Sequence, residues 1–438
     1  YVLTKVAVTV YAGGLVFQQV FGIKELWGID FFWIAAIGLV VLTALYTIFG
    51  GMKSVLYTSV LQTPILLLGS LIILVLGFKE LGGWDEMMRV CGAVTVNDYG
   101  DTMTNLIRSN DDANFPWLGA LIGSAIIGFW YWCTDQFIVQ RVLSGKNEME
   151  ARRGTIFGAY LKLLPVFLFL IPGMIAFALH QKYIGAGGEG FLPMLANGTA
   201  NADAAFPTLV AKLLPAGVKG LVVCGILAAL MSSLASLFNS SAMLFTIDFY
   251  KRFKPETPEK KLVGIGQIAT IVIVVLGILW IPIMRSVGDV LYTYLQDVQS
   301  VLAPGIAAAF LLGICWKRTS AQGGMWGLIS GMVIGLTRLG AKVYYSNAGE
   351  VADSTFKYLF YDMNWLFFCG WMFLFCIIVV IVVSLATEAP TAEKIQGLVF
   401  GTATKEQKAA TRASWNHWDI IHTVIILAIT AAFYWYFW

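Results

Sequence analysis

Repeated apolar runs of about 20 residues constrain the fold of this chain more than any other feature. Each run is long enough to cross a bilayer as a helix. Composition agrees, since 58% of the residues are hydrophobic and 13% are charged, against about 25% charged in soluble domains. The sequence therefore predicts an all-α integral membrane protein with about eleven transmembrane helices, near 1–23, 28–49, 53–80, 116–140, 153–181, 217–247, 262–285, 289–316, 323–345, 363–386 and 418–438.

The loops between these runs predict the orientation of the chain. Basic residues concentrate in loops on one face and are sparse in the longer loops of the other, and basic loops remain in the cytoplasm. The basic loops are 141–153, 251–261 and 317–318. An odd number of helices places the two ends on opposite sides, so we expect a multi-pass plasma-membrane protein with Tyr1 cytoplasmic and Trp438 outside.

Several function classes lack support in the sequence. The net charge of +3 is small and the basic residues are dispersed, which disfavours a nucleic-acid partner. The three histidines form no HExxH motif, and no glycine-rich phosphate loop is present. The sequence therefore predicts neither nucleic-acid binding nor an enzyme.

Charged residues within the apolar runs are functional candidates, because a charge at mid-bilayer is costly. Lys162, Asp135 and Asp297 qualify most clearly. A structural ion pair is the alternative interpretation of Lys162, and a helix-end position is the alternative for Asp135. We interpret Lys5 and Arg338 as snorkelling side chains near the ends of runs.

The fourth run combines Gly123 and Gly128 with the aromatic residues Tyr131 and Trp132 and then a polar tail. Transporters use interrupted helices to expose helix ends and carbonyl groups to a ligand near the midplane. The pattern predicts such an interruption. The two rings suit stacking on a sugar, although ordinary packing in lipid would produce the same residue types.

The sixth run places Ser232, Ser236 and Ser240 on one helical face through i, i+4, i+8 spacing. Small hydroxyl residues commonly hold membrane helices together. Hydroxyl and carbonyl oxygens are also the hard neutral ligands that a monovalent cation requires. Spacing alone leaves both interpretations open.

Six ordered motifs resemble those of the sodium:solute symporter family, most closely its sodium/glucose cotransporter branch. The resemblance implies a LeuT-like fold with two inverted repeats of five helices in a fourteen-helix protein. The eleven helices here look like the last eleven, so we expect that the first three are missing and that these 438 residues alone do not transport. The motifs are Gly38–Met52, Trp130–Arg141, Gly158–Pro165 with Pro172–Met174, Leu230–Ser233, Phe245–Tyr250 and Tyr294–Gln296.

The resemblance also implies a division of the single transporter domain and a set of site residues. Residues 1–80 would complete the first repeat, 116–316 form the second, and 323–438 add accessory helices. The sodium ligands would be Ala229 through its carbonyl, Ser232 and Ser233; the sugar would contact Tyr131, Trp132, Lys162 and Gln296; and Asp135, Gln136, Arg141 and Ser236 would lie on a sodium route or be structural.

The implied function is sodium-coupled symport of a glucose- or galactose-like hexose by alternating access. Its partners would be the sugar, Na⁺ and the lipid bilayer. Members that couple two sodium ions carry a hydroxyl residue where Ala235 stands, which predicts one sodium per substrate. Ser59 stands where the glucose branch often has aspartate, and Gly128 removes one polar sugar contact, so the sugar stays open. Symport of another solute such as myo-inositol, or a non-transporting sugar sensor, are the alternatives.

Overall fold

The computed structural model describes residues 2–195, 198–285, 291–348 and 352–437. Helices dominate, with one two-stranded hairpin near the start of the chain. In chain order the elements are α1 Val2–Phe21, β1 Glu25–Leu26, β2 Ile29–Asp30, α2 Phe31–Leu81, α3 Trp84–Gly92, α4 Trp117–Phe129, α5 Gln136–Leu143, α6 Glu148–Pro165, α7 Ile171–Gly185, α8 Ala205–Leu213, α9 Ala216–Met243, α10 Lys251–Phe253, α11 Glu259–Arg285, α12 Leu291–Cys315, α13 Ala321–Asn347, α14 Thr355–Lys357, α15 Trp365–Ala386, α16 Ala392–Ile395, α17 Lys405–Ala413 and α18 His417–Tyr436.

Four short π-helical segments and one 3₁₀ segment extend these helices: Trp130–Thr134 after α4, Val166–Leu170 between α6 and α7, Ala202–Ala204 before α8, Leu244–Tyr250 after α9, and Tyr358–Asp362 after α14. The chain divides into two compact units. The first comprises Tyr1–Val96, Thr102–Thr104 and Leu161–Leu291, and the second comprises Asn97–Asp101, Asn105–Tyr160 and Tyr292–Trp438.

In the first unit, close packing of α2 against α9 depends on glycine. A Cβ atom on Gly225 would lie 3.0 Å from the Ile65 side chain, and one on Gly69 would lie 2.6 Å from Val222. A buried apolar core beside this contact includes Ile73, Ile175 and Leu209 from α2, α7 and α8. The missing side chains allow the helix axes to approach, as is common between membrane helices.

The second unit uses the same device where α4 meets α15. A Cβ atom on Gly123 would lie 2.8 Å from the carbonyl oxygen of Leu366 and 3.0 Å from its Cα atom. Between α12 and α13, a Cβ atom on Gly331 would lie 2.9 Å from the Cα atom of Gly305. Backbone therefore faces backbone at both crossings, which leaves no space for a side chain.

Eight helical segments of the described residues are long and apolar enough to cross a membrane: Leu56–Leu81, Trp117–Thr134, Glu148–Gly185, Ala216–Phe253, Glu259–Pro282, Leu295–Cys315, Trp365–Ala386 and His417–Tyr436. These match eight of the predicted runs. The runs near 1–23, 28–49 and 323–345 are also helical, in α1, α2 and α13. The predicted all-α, multi-pass membrane fold is confirmed. The predicted orientation names Tyr1 and Trp438, and both lie outside the described residues. Residues 286–290, which include the start of the predicted run 289–316, also lie outside them.

The structure differs from the predicted runs in α2. Two runs, 28–49 and 53–80, lie on one helix of 51 residues, which is roughly 75 Å long at 1.5 Å per residue. The gap between the two predicted runs, residues 50–52, contains Gly50 and Gly51. Glycine in a helix costs only about 1 kcal/mol relative to alanine, so this pair alone does not end the helix.

The predicted interruption of the fourth run is present at a different residue. Gly123 and Gly128 both lie inside α4, which continues into the π-helical segment Trp130–Thr134. Helical geometry ends at Asp135, whose φ of −72° and ψ of 115° are extended. The Asp135 carboxylate then caps α5 by accepting a hydrogen bond from the backbone N–H of Phe137 at 3.0 Å.

The loop before α4 is built around buried Asp112. Its carboxylate accepts hydrogen bonds from the backbone N–H groups of Asn114 at 2.9 Å and Phe115 at 2.7 Å. Arg108 lies 3.5 Å from the same carboxylate. Burial acts to raise the pKa of Asp112, but these hydrogen bonds and the guanidinium prevail and hold the pKa below its ordinary value of 3.8.

This loop is expected to lose its order only in acid. Because the folded pKa of Asp112 is depressed, its stabilising effect is complete above the unfolded pKa of 3.8 and is lost as pH falls through the lower folded pKa. Hydrogen exchange, corrected for intrinsic rates, should show Asn114 and Phe115 protected at pH 5 to 7 and losing that protection progressively as pH falls below about 3.8. Asp112→Asn should remove the pH dependence, and unchanged protection in acid would contradict this role.

Candidate functional site

Helix α9 carries the serine face predicted from the sequence, and it lies in the first unit. Ser232, Ser236 and Ser240 are all buried. Ser236 donates to the Ser232 carbonyl oxygen at 3.0 Å, and Ser240 donates to that of Leu237 at 3.0 Å. These two hydroxyl groups therefore donate to backbone carbonyl oxygens of their own helix.

Ser232 differs because its hydroxyl reaches another helix. Its Oγ lies 2.6 Å from the Oγ of Ser59 on α2, in a hydrogen bond whose direction either hydroxyl can supply. The two residues are 173 positions apart, so no local spacing indicated the contact. Ser233 and Ala229 lie on the same stretch of α9 and are partly buried. Neutral oxygen atoms of the type that suit a monovalent cation thus cluster where α2 meets α9.

The aromatic residues of the fourth run lie in the second unit, on the π-helical segment Trp130–Thr134. Tyr131 and Trp132 contact each other edge to face, with ring centroids 5.1 Å apart and an interplanar angle of 86°. Trp130 is buried, whereas Trp132 is 51% exposed. A π-helical turn shifts the side-chain register relative to an α-helix, so the segment can direct consecutive rings to different surroundings.

Residues of the polar tail after these rings make contacts within their own segment of the chain. Asp135 is buried and caps α5, as described above. The Arg141 guanidinium lies over the Phe137 ring at 5.6 Å from its centroid. Gln136 is the partly buried first residue of α5. Asp135 and Arg141 thus make local structural contacts, and their place on a sodium route stays a prediction.

The two predicted sugar donors outside α4 lie on different helices. Lys162 lies in the last turn of α6, and its side chain is exposed. Gln296 on α12 is partly buried and donates from Nε2 to the Tyr292 hydroxyl at 2.8 Å. Lys162 belongs to the first unit and Gln296 to the second.

Asp297, next to Gln296, belongs to a buried charge cluster that links α12 to α13. Its Oδ2 atom lies 2.6 Å from the Nζ atom of Lys342, and its Oδ1 atom lies 3.5 Å from the NH2 atom of Arg338. Arg338 also donates to the Met363 carbonyl oxygen at 2.7 Å and stacks on Phe368 at 4.1 Å from the ring centroid. The cluster therefore contains two cations and one anion.

The structure corrects two interpretations of the sequence. Arg338 is 1% exposed and does not snorkel, because a carboxylate, carbonyl oxygens and an aromatic face replace its water. Lys5 is also buried, so snorkelling is wrong there too. Lys342 was not singled out at all, although its i, i+4 spacing from Arg338 places both on one face of α13.

Comparison with known proteins shows to which family this arrangement belongs. The sequence model of the sodium:solute symporter family matches residues 1–331, which include the serine face of α9, the aromatic pair and Gln296. The chain belongs to the sodium:solute symporter family.

Curated members of this family resemble the chain at about one residue in three. A human sodium/myo-inositol cotransporter 2 is 35% identical over 92% of the chain, and a Bos taurus sodium/mannose cotransporter is 34% identical over 100% of the chain. A sodium/glucose cotransporter 1 from Ovis aries is 36% identical over 89% of the chain. The chain spans 60% of the human and sheep symporters and 75% of the bovine one.

A solved symporter structure supports the fold. It is the substrate-bound, outward-open state of a Na⁺-coupled sialic acid symporter, with a TM-score of 0.62 and 20% identity. The match covers 89% of this chain and 74% of the solved one. The predicted LeuT-like symporter fold is thereby confirmed, and sodium is the coupled ion that the family and its members have in common.

Proposed function

We propose that this chain forms the solute- and sodium-handling part of a sodium-coupled sugar symporter that works by alternating access. The observation that carries the proposal is the family match, with relatives named for glucose, mannose and myo-inositol. These solutes share one chemistry, a ring bearing several hydroxyl groups. A hexose such as glucose or galactose is the proposed substrate, and myo-inositol is the competing candidate.

The sodium ligands proposed on α9 are the carbonyl oxygen of Ala229 and the hydroxyl groups of Ser232 and Ser233. Their support is the oxygen-rich contact between α2 and α9, where Ser232 meets Ser59 at 2.6 Å. A sodium ion drives transport only if it binds one conformational state more tightly than the other. By linkage, the solute must then raise sodium affinity by the same factor.

The proposed solute contacts are Tyr131, Trp132, Lys162 and Gln296. The edge-to-face aromatic pair offers an apolar surface with one hydroxyl group, which suits the C–H face of a sugar ring. Lysine and glutamine side chains supply N–H donors to hydroxyl oxygens. Asp135, Gln136, Arg141 and Ser236 are proposed as structural residues or as part of the sodium route.

Sodium-driven accumulation of labelled sugar tests the proposal. Full-length protein in proteoliposomes should accumulate glucose, galactose, mannose or myo-inositol under an inward sodium gradient, and not under a matched potassium gradient. Binding of a sugar without accumulation would instead identify a sensor. Absence of both would overturn the proposed function.

Ser233→Ala should raise the sodium concentration needed for half-maximal uptake roughly five- to tenfold, because loss of one polar interaction costs about 1 kcal/mol or more. Ser240→Ala is the matched control, since its hydroxyl donates to the Leu237 carbonyl oxygen on its own helix. Lys162→Ala should weaken sugar uptake without changing the sodium requirement, with exposed Lys146→Ala as control. An unchanged sodium requirement in Ser233→Ala would refute the ligand assignment.

We further expect one sodium ion per solute. Ala235 is fully buried on α9 and offers no side-chain oxygen, and the Ser236 proton is donated to the Ser232 carbonyl oxygen. Reversal potentials measured at several sodium and sugar gradients give the coupling ratio directly. A ratio of two would show that a second sodium site exists elsewhere in the protein.

A further inference from the structure

A cavity of about 380 Å³ lies between α6 and α18 in the second unit. Its volume falls within the range of about 300–1,000 Å³ that is typical of small-molecule sites. Its lining combines charged and polar groups with aromatic rings. The principal lining residues are Arg153, Phe157, Tyr160, Asn416, Trp418 and His422.

Direct contacts between the two helices hold this cavity in shape. The Tyr160 hydroxyl lies 3.0 Å from the Nδ1 atom of His422, and the two rings meet edge to face with centroids 5.8 Å apart. Near the start of α6, Arg152 donates at 3.2 Å to the hydroxyl of Ser414, which ends α17 just before α18. Tyr160 and His422 both line the cavity, so its lining includes a polar contact that neither α6 nor α18 makes alone.

The position of the cavity indicates what can reach it. Within the described residues, only 6% of the apolar window of α18 is buried, so most of the surface of this apolar helix is accessible to lipid. The cavity lies over the first turns of α18, beside Trp418. Tryptophan is enriched at the level of the lipid headgroups. The occupant most accessible there is a lipid of the adjoining leaflet.

The charges select the class of lipid. Arg153 is exposed, and in the described part of the chain it forms no ion pair. The one carboxylate in the lining, Asp419, accepts the backbone N–H of Asn416 at 2.9 Å and closes the capping box of α18. The guanidinium is thus the charge left to a ligand, and it suits an anion.

We propose that this cavity binds the headgroup of an anionic phospholipid. The phosphate would lie against Arg153 and within reach of the Asn416 amide and the His422 ring, and an acyl chain would follow Phe157. The basic loop 141–153, which ends at Arg153, predicts that this side faces the cytoplasm. Anionic lipids are concentrated in that leaflet.

Native mass spectrometry of the full-length protein tests the proposal. Protein released from mixed micelles should retain phosphatidylglycerol in preference to phosphatidylcholine. Arg153→Gln should reduce that preference roughly five-fold, the effect of one basic residue at an anionic surface. Arg252→Gln removes the same charge from another exposed site on a basic loop and should leave the preference unchanged. Both positions are exposed, so neither variant should alter folding, and size-exclusion chromatography checks this.

Three results would overturn the proposal. Equal retention of the two lipids by the wild type would show no anion selectivity. Equal losses in Arg153→Gln and Arg252→Gln would show a general charge effect rather than a site. A dimer whose abundance falls in Arg153→Gln while lipid retention does not change would identify a second copy of the chain as the occupant. None of these results bears on sugar transport, which is tested separately.

Discussion

Replacing Asp297 with alanine is expected to lower the free energy of unfolding by about 3–5 kcal/mol, the usual cost of removing one partner of a buried ion pair. The variant leaves Arg338 and Lys342 facing each other without a carboxylate. Arg338 is 1% exposed and has no access to water that could replace its partner. Thermal unfolding in detergent, followed by the fraction of monodisperse protein on size-exclusion chromatography, measures the loss.

Because the cluster contains two cations and one anion, removing a cation is an informative comparison. Lys342→Met removes the second cation, and one carboxylate then remains for one guanidinium. Because the Lys342 side chain is 22% exposed, and because the cluster loses its excess positive charge, we expect a change of less than about 1.5 kcal/mol. Equal damage from Asp297→Ala and Lys342→Met would show that packing, rather than charge balance, maintains this region.

Gly123→Ala is expected to destabilise the second unit by about 1–3 kcal/mol, because overpacking a tight contact forces the backbone to move. The added Cβ atom would lie 2.8 Å from the Leu366 carbonyl oxygen and 3.0 Å from its Cα atom. Neither atom belongs to a side chain that can rotate away. Since α4 leads directly into Tyr131 and Trp132, we also expect weaker sugar uptake.

Gly128→Ala provides the control on the same helix. A Cβ atom there meets nothing within 4 Å, so the substitution should stabilise α4 by about 0.5–1 kcal/mol through helix propensity. Melting temperatures of the two variants, measured in the same detergent, give the comparison. If both variants melted at the temperature of the wild type, the close approach of α4 and α15 would not limit the packing.

Much of the fold was predictable because the bilayer imposes a length and a composition on every spanning segment. The runs near 363–386 and 418–438 match helices to within a few residues. Local breaks were harder to predict. The separate runs 28–49 and 53–80 predicted two helices where α2 is one, whereas the actual break at Asp135 depends on a side chain that caps the next helix.

The candidate site was predictable where its residues share one helix. The spacing of Ser232, Ser236 and Ser240 predicted their common face on α9. Contacts between distant segments were not predictable, because Ser59 and Ser232 are 173 residues apart and a single sequence carries no record of such a pairing. The assignments to sugar and sodium rest on the resemblance, and they stay predictions until uptake is measured.

The bond between Ser59 and Ser232 has a consequence for the proposed sodium site. Two hydroxyl groups share one hydrogen bond, and its direction reverses when both protons rotate about their C–O bonds. An arriving cation would therefore be met by lone pairs that turn towards it while the oxygen atoms stay in place. The two hydroxyl dipoles can reorient while the helices that carry them stay in place. The free-energy cost of reorganisation on cation binding would therefore be confined to rotations of the two hydroxyl hydrogen atoms.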